Sequence, residues 1–225
     1  MKCVVFDSST LISLSSSCLF NAVGRMFSEM GLRGVISSGV EAESIITPLR
    51  VKRFELNAVR IRHGVEEGWL EIVKLDPDSN SSVAELMSQA NSSFQGPRGP
   101  LTLVHLGEVE ALVLAEKLGA HLVAIDERTT RMLVEEPEKL KRLISRRQHS
   151  KILRDKRLSD SISKRFGSLR FIRSSEIAAL AFEKGFLKGE IGSGKKALEA
   201  VLYSLRYGGC ALGSSEIESF LGGLP

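Results

Sequence analysis

The sequence predicts an α/β fold built on parallel strands, and three observations carry that expectation. Residues 4–10 (VVFDSST) read as a short apolar strand that stops at Asp7 and passes through three hydroxyl residues into Leu11 and Ile12. That is the pattern of a strand followed by a capped helix. Residues 106–133 then give a helix and a strand in succession. Gly107 opens the helix, Val109, Leu112, Val113, Ala115 and Leu118 recur at helical spacing, and Gly119 closes it. The run HLVAI follows and ends at Asp126 and Glu127. A continuous apolar strand after an amphipathic helix suits a parallel sheet covered on both faces. Finally, 225 residues with 43% hydrophobic content suffice for one substantial core.

The remaining elements follow from local pattern. Over residues 18–30, Leu19, Phe20, Val23, Met26, Phe27 and Met30 recur at helical spacing, and Gly31 to Gly34 breaks that helix. Val35-Ile36 is short and apolar. Ser37-Ser38 supplies a helix start before Val40, Glu41, Glu43 and Ile45, and Pro48 interrupts it. Residues 51–67 read as helix, and WLEIVKL (69–75) as a strand stopped by Asp76-Pro77. Residues 78–100, rich in Ser, Asn, Gly and Pro, are expected to form a surface excursion with one helical patch at 83–90. Residues 135–166 are charged and helix-permissive, either two amphipathic helices or a mobile arm. A last strand is expected at 169–172, helices at 176–186 and 195–207, and a short helix at 214–221. The expected organisation is an acidic-site body over 1–133, a basic helical insertion or arm over 134–168, and a strand and helices over 169–225 completing the same domain.

Composition excludes several classes. No apolar run approaches the ~20 residues that span a bilayer, and MKCVVFD reaches an acid too soon for a signal peptide. Cys3, Cys18 and Cys210 form no Cys-x-x-Cys pair, which argues against a zinc ribbon or a disulfide framework and for a reducing, cytoplasmic setting. The net charge of +4 is unevenly spread: residues 1–127 carry −5, residues 128–173 carry +10 and residues 174–225 carry −1. A basic block behind an acidic body suits a polyanionic partner, although a solvated helical arm would show the same composition.

Four acids stand at comparable places. Asp7 and Asp126 end strands, Glu43 lies a turn into a helix, and Glu108 is at a helix start. Each alone reads as a cap, a dipole partner or a surface residue. Together, at the carboxyl ends of neighbouring parallel strands, they would gather at one crevice. Clustered carboxylates repel and raise one another's pKa, and a hard divalent cation such as Mg²⁺ or Mn²⁺ relieves that repulsion. Such ions activate water against phosphodiesters. Glu108 is preferred over Glu110, because two residues span about 200° of a helix. Asp126 is preferred over Glu127, which alternation turns away, leaving it a supporting or fifth ligand.

The stretches FDSSTLI, VEAE, GEVEALVLA and AIDERTTR resemble the successive motifs of the PIN-domain nucleases. The resemblance implies a three-layer α/β/α sandwich with a central parallel sheet. It implies Asp7, Glu43, Glu108 and Asp126 around Mg²⁺ or Mn²⁺, with Ser9 or Thr10 supporting the first acid or the metal's water, and hydrolysis of single-stranded RNA. It covers residues 1–133. The tail, in IAALAFEKGFL and LEAVLYSLRYGG, is similar to that of a toxin-like subgroup, which implies an antitoxin partner or a homodimer. The basic stretch 134–168 departs from the minimal pattern.

Arg128, Arg131, Arg146 and Arg147 are candidate substrate-phosphate contacts. Lys141, Arg142, Lys151, Arg154, Lys156 and Arg157 join them more weakly. His105 and His121 read as structural. Two other functions are open: a catalytically inactive RNA-binding or assembly protein, and a phosphotransfer protein accepting phosphate on Asp7 or Asp126. Against the latter, Ser9 stands where haloacid-dehalogenase-like phosphatases have a second Asp.

Overall fold

The computed structural model describes residues 2–223. Strand β1 (Lys2–Phe6) leads into α1 (Ser8–Ser16), and α2 (Phe20–Glu29) into β2 (Leu32–Ser37). Helix α3 (Ser38–Glu41) starts where the Ser37 hydroxyl accepts from the Val40 N–H. It widens into a π-helical segment, Ala42–Ile46, before the turn Pro48–Arg50, α4 (Glu55–Glu66) and β3 (Leu70–Val73). Next come α5 (Pro77–Ser92), β4 (Phe94–Gly96), β5 (Gly99–Pro100), α6 (Leu106–Leu118) and β6 (Leu122–Ala124). The basic stretch forms α7 (Arg128–Glu135), α8 (Pro137–Gln148), β7 (Leu153–Arg154) and α9 (Lys156–Phe166). The chain closes with β8 (Arg170–Ile172), α10 (Ser174–Glu183), α11 (Lys188–Ile191), α12 (Lys195–Tyr207) and α13 (Ser214–Gly222).

The central sheet has five parallel strands in the order β3-β2-β1-β6-β8. Strand alternation sorts its side chains onto two faces. Val4, Phe6, Ile36 and Ala124 join one apolar cluster with Leu11, Phe27 and Trp69, closed by α10 and α12 through Ala178, Ala181 and Leu202. Val5, Val35 and Val123 join the other, with Leu86, Leu112 and Phe166. Helices on both faces make this the three-layer sandwich expected from the sequence. The chain runs outward from β1 through β2 and β3, then returns to the other side as β6 and β8. The strand order therefore reverses between β1 and β6, where open α/β sheets form a crevice beyond their carboxyl ends.

Residues 78–100 are not mainly an excursion. Asp76 caps α5 by accepting from the Ser79 N–H at 2.8 Å, Pro77 sits at the first turn, and Val83, Leu86 and Ala90 are buried. Polar residues cover the outer face of a regular helix, so composition concealed it. The GPRGP turn joins β4 to β5, and both belong to a small antiparallel sheet ordered β5-β4-β7. That sheet ties the excursion to the basic stretch through a pairing some 60 residues apart in the chain, a separation no local signal reports.

The basic stretch packs despite its sparse apolar residues. Leu140, Ile152, Ile162 and Phe166 are buried in the second cluster. Arg154 is consumed internally: its side chain is only 5% exposed, and it donates to Glu138 (2.6 Å), to the Ser159 hydroxyl (2.7 Å) and to Asp160. It is a structural tie rather than a phosphate contact. Truncating Ile162 to Ala should therefore cost about 2–4 kcal/mol of stability in equilibrium denaturation, as buried Ile-to-Ala changes do. An unchanged midpoint would mean that α9 does not pack on the body.

Candidate active site

Asp7 begins one residue beyond β1, and its N–H donates to the Ala124 carbonyl of β6 at 3.0 Å, which carries the strand pairing up to the reversal point. Its carboxylate caps α1, Oδ1 accepting from the Thr10 N–H at 3.0 Å and Oδ2 from the Ser9 hydroxyl at 2.6 Å. Only 1% of Asp7 is exposed. Burial pushes its carboxyl up from 3.8 to about 7; the Ser9 and Thr10 contacts oppose that rise, and the nearby Asp126 charge adds to it. Asp7 thus caps α1 from a buried position, although a cap alone needs no burial.

Glu43 lies in the π-helical segment, a local widening often found at functional sites. Its carboxylate accepts from the Ser8 hydroxyl at 2.8 Å and rests against Gly107, where a Cβ would meet Oε2 at 2.7 Å. A side chain at 107 would have to push the Glu43 carboxylate out of this position. Glu108, next in the chain, turns back over the start of α6 and accepts from the His105 N–H at 2.8 Å. It is 8% exposed, and burial first, with Glu127 and Glu43 adding repulsion, pushes it up to about 6. Glu110 leaves on another face and accepts from the Gly39 N–H at 2.9 Å, fastening α6 to α3. Glu108 and Glu110 thus leave α6 on different faces, as their two-residue spacing requires.

One cavity of about 660 Å³ is lined by Asp7, Glu43, Glu108 and Glu127 together with Ser8 and Ser9. Asp126 stands behind it. Both of its oxygens are taken by Ser174 at the start of α10, the N–H at 2.7 Å and the hydroxyl at 2.7 Å. Asp126 and Glu127 diverge as alternation requires, but it is Glu127, the cap of α7, that faces the cavity. Ser174 lies 48 residues further on, so sequence spacing gave no warning of it. The opposite wall was missed as well. Leu101, Thr102 and Leu103 follow β5, and Ile144, Arg147 and Gln148 come from α8.

The other expected contacts separate. Ser9 lines the cavity, whereas Thr10 is fully buried and serves Asp7 through its backbone. Arg147 reaches the cavity rim, and Arg128, Arg131 and Arg146 line a neighbouring one together with Arg147. His105 borders the site, and His121 is exposed at the far end of β6.

A family model described as a PIN domain matches residues 3–138 of the chain. The chain belongs to the PIN-domain family. No curated protein matches it, and no solved structure does. PIN domains are nuclease-type folds that typically use divalent metals. The match ends just inside α8, so the remainder of that helix, the β7–α9 unit and the C-terminal elements lie beyond it.

The donor set of this PIN domain fits such a metal in its chemistry. All the cavity carboxylates are hard oxygen donors, and two are held far from water at a cost that a cation would offset. The Oγ1 atoms of Thr10 and Thr130 are also buried without hydrogen-bond partners. They lie near enough to Asp7 and Glu108 to lower their pKa values, though neither threonine lines the cavity. Among the described residues, however, no three ligating groups converge on one point. Each carboxylate is turned instead toward its own donor: Ser9 and Thr10, Ser8, His105 or Ser174.

A sign follows for stability against pH. The folded state holds Asp7's proton up to about 7 and the unfolded state only to 3.8, so stability falls as pH rises between those values and levels off above. In chelator, Asp7→Asn should melt higher than the parent at pH 8, by on the order of a few kcal/mol in stability. The advantage should shrink toward pH 4, and thermal melts across that range would measure it. A variant that melts lower at pH 8 would show that the carboxylate is not strained.

Proposed function

We propose that the chain is a metal-dependent endoribonuclease that hydrolyses RNA phosphodiester bonds. The observation that carries the reading is the desolvated Asp7 at the strand-order reversal, facing a cavity shared with Glu43, Glu108 and Glu127. Structural acids are rarely buried without a cationic partner, and no Lys or Arg pairs with Asp7 among the described residues.

In this reading Asp7, Glu43 and Glu108 hold Mg²⁺ or Mn²⁺, with Glu127 joining from the cavity wall and Asp126 supporting from behind Asp7. When bound, the metal supplies an activated water and neutralises charge on the scissile phosphate. The chain's own groups set the geometry. Ser9 and the Thr10 N–H fix Asp7, and Ser8 fixes Glu43. Arg147 offers a phosphate its first positive charge at the rim. Hydrolysis forms one P–O bond from water and breaks one ester P–O bond, and the water's proton passes to the leaving oxygen. The toxin role, with an antitoxin as partner, extends this reading, and an adjacent small reading frame would support it.

The rival is a PIN-like protein that binds RNA without cutting it. With Mg²⁺ or Mn²⁺ and a labelled single-stranded RNA, the parent should cleave. Asp7→Asn should lose at least about 100-fold in rate while binding RNA with unchanged affinity in chelator. Cleavage that persists in the purified variant would remove Asp7 from the mechanism. A parent that binds but never cleaves would favour the rival.

A further inference from the structure

Helix α8 separates two cavities of opposite sign. On one side Ile144, Arg147 and Gln148 border the acidic cavity; on the other Lys139, Arg142, Leu143 and Arg146 border a second of about 760 Å³. The second is floored by α7 through Arg128 and Arg131 and closed by Ala211–Gly213 ahead of α13. Arg147 belongs to both.

The charges in the second cavity are unequally partnered. Arg173 is bound by Glu176 and Glu216, and Lys139 by Glu136. Among the described residues, Arg128, Arg131, Arg142, Arg146 and Arg147 form no ion pair; the remaining lining acid, Glu135, stands near Arg131 without bonding it. Arg131 is the telling member. It is largely withdrawn from water, its Nε is buried with no acceptor, and burial together with the neighbouring Arg173 charge disfavours its charged form. A guanidinium kept charged under those conditions costs stability unless an anion meets it. Lys139, Arg142 and Arg146 recur three and four residues apart, so α8 turns a single cationic face to the same space.

We infer that this basic cavity is a second, non-catalytic binding site that takes a backbone phosphate of single-stranded RNA, held by Arg128, Arg131, Arg142 and Arg146, while Arg147 bridges it to the acidic cavity. The inference rests on the ribonuclease reading for the identity of the polyanion. The cavity's apolar side chains are Met132, Leu143, Ala211 and Leu212, with no aromatic ring. A base finds nothing to stack on there, and the site reads phosphate rather than sequence. A strand threaded from one cavity to the other would place a phosphate neighbouring the scissile one against the five arginines. Register would then be set by α8, most of which lies outside the matched family span.

The test uses the full chain carrying Asp7→Asn, so that RNA survives, in chelator. Affinity for a short labelled RNA is followed by fluorescence anisotropy from about 50 to 200 mM KCl. Adding Arg142→Gln and Arg146→Gln should weaken binding at least 10-fold at the lower salt and reduce the log–log salt slope by about 1.4, roughly 0.7 for each lost contact on single strands. Arg131→Met should melt higher than its parent without RNA and gain less from added RNA. Unchanged affinity and slope would overturn the site, as would competition by a polyglutamate peptide stronger than by unlabelled RNA, which would assign the cavity to an acidic protein segment. The two readings fail separately. Arginine-dependent RNA binding without cleavage by the parent overturns only the nuclease, and cleavage with arginine-independent binding overturns only this site.

Discussion

The constraint on which the site depends is the burial of one carboxylate where β1 and β6 part. Asp7 cannot leave that place, because its N–H continues the strand pairing to Ala124 and its side chain starts α1. Holding it there at neutral pH is unfavourable, as the rise of its pKa to about 7 records. The apolar clusters on either face of the sheet, with Phe6 and Val5 immediately before Asp7 facing opposite ways, supply the stability that offsets it. A fold that keeps a desolvated acid at its centre gives up stability there, a division common at sites that act on ligands and in keeping with the proposed function.

The other acids show how the fold controls repulsion. Four carboxylates near one crevice would push apart if free, and each is instead held by a neutral donor. Ser8 and Ser9 belong to α1, His105 to the start of α6, and Ser174 to the start of α10. No donor carries a formal charge, the His105 donor being its backbone N–H. The negative potential of the cavity therefore survives, and these donors orient the acids without neutralising them. A lysine in any of those places would have quenched the field that attracts a cation.

Much of this was legible in the sequence, for identifiable reasons. Val4 to Thr10 and Leu106 to Asp126 carry their structure locally, in period and in capping residues, so both strand-end acids and the preference for Glu108 over Glu110 could be read directly. The π-helical turn that carries Glu43 has no composition signal, and VEAE reads equally well as α-helix. The engagement of Asp126 by Ser174 and the wall from Leu101 to Leu103 depend on contacts distant in the chain. Likewise, α5 was concealed because Ser and Asn cover its solvent face, and its three buried residues are too few to announce a core helix. Arg154 illustrates the opposite error: in a run of cations, charge alone does not tell a phosphate contact from a residue locked among Glu138, Ser159 and Asp160.

The charge asymmetry of the sequence takes a definite form in the fold. The +10 segment does not spread its cations over a free arm, because Leu140, Ile162 and Phe166 pin it to the body. Its arginines consequently meet the acidic cavity across the width of one helix. Opposite potentials this close would cancel if the side chains could reach one another, yet among the described residues none of the cavity acids is paired with an arginine of α7 or α8. Helix α8 lies between them, Ile144 facing one cavity and Leu143 the other, with Arg147 alone of its arginines bordering both. On the proposed reading, two fields separated in this way serve different partners, the negative one a divalent cation and the positive one a polyanion. A polyanion drawn only to the positive field would be repelled at the acids, so the proposed reading needs the divalent ion for one strand to occupy both cavities.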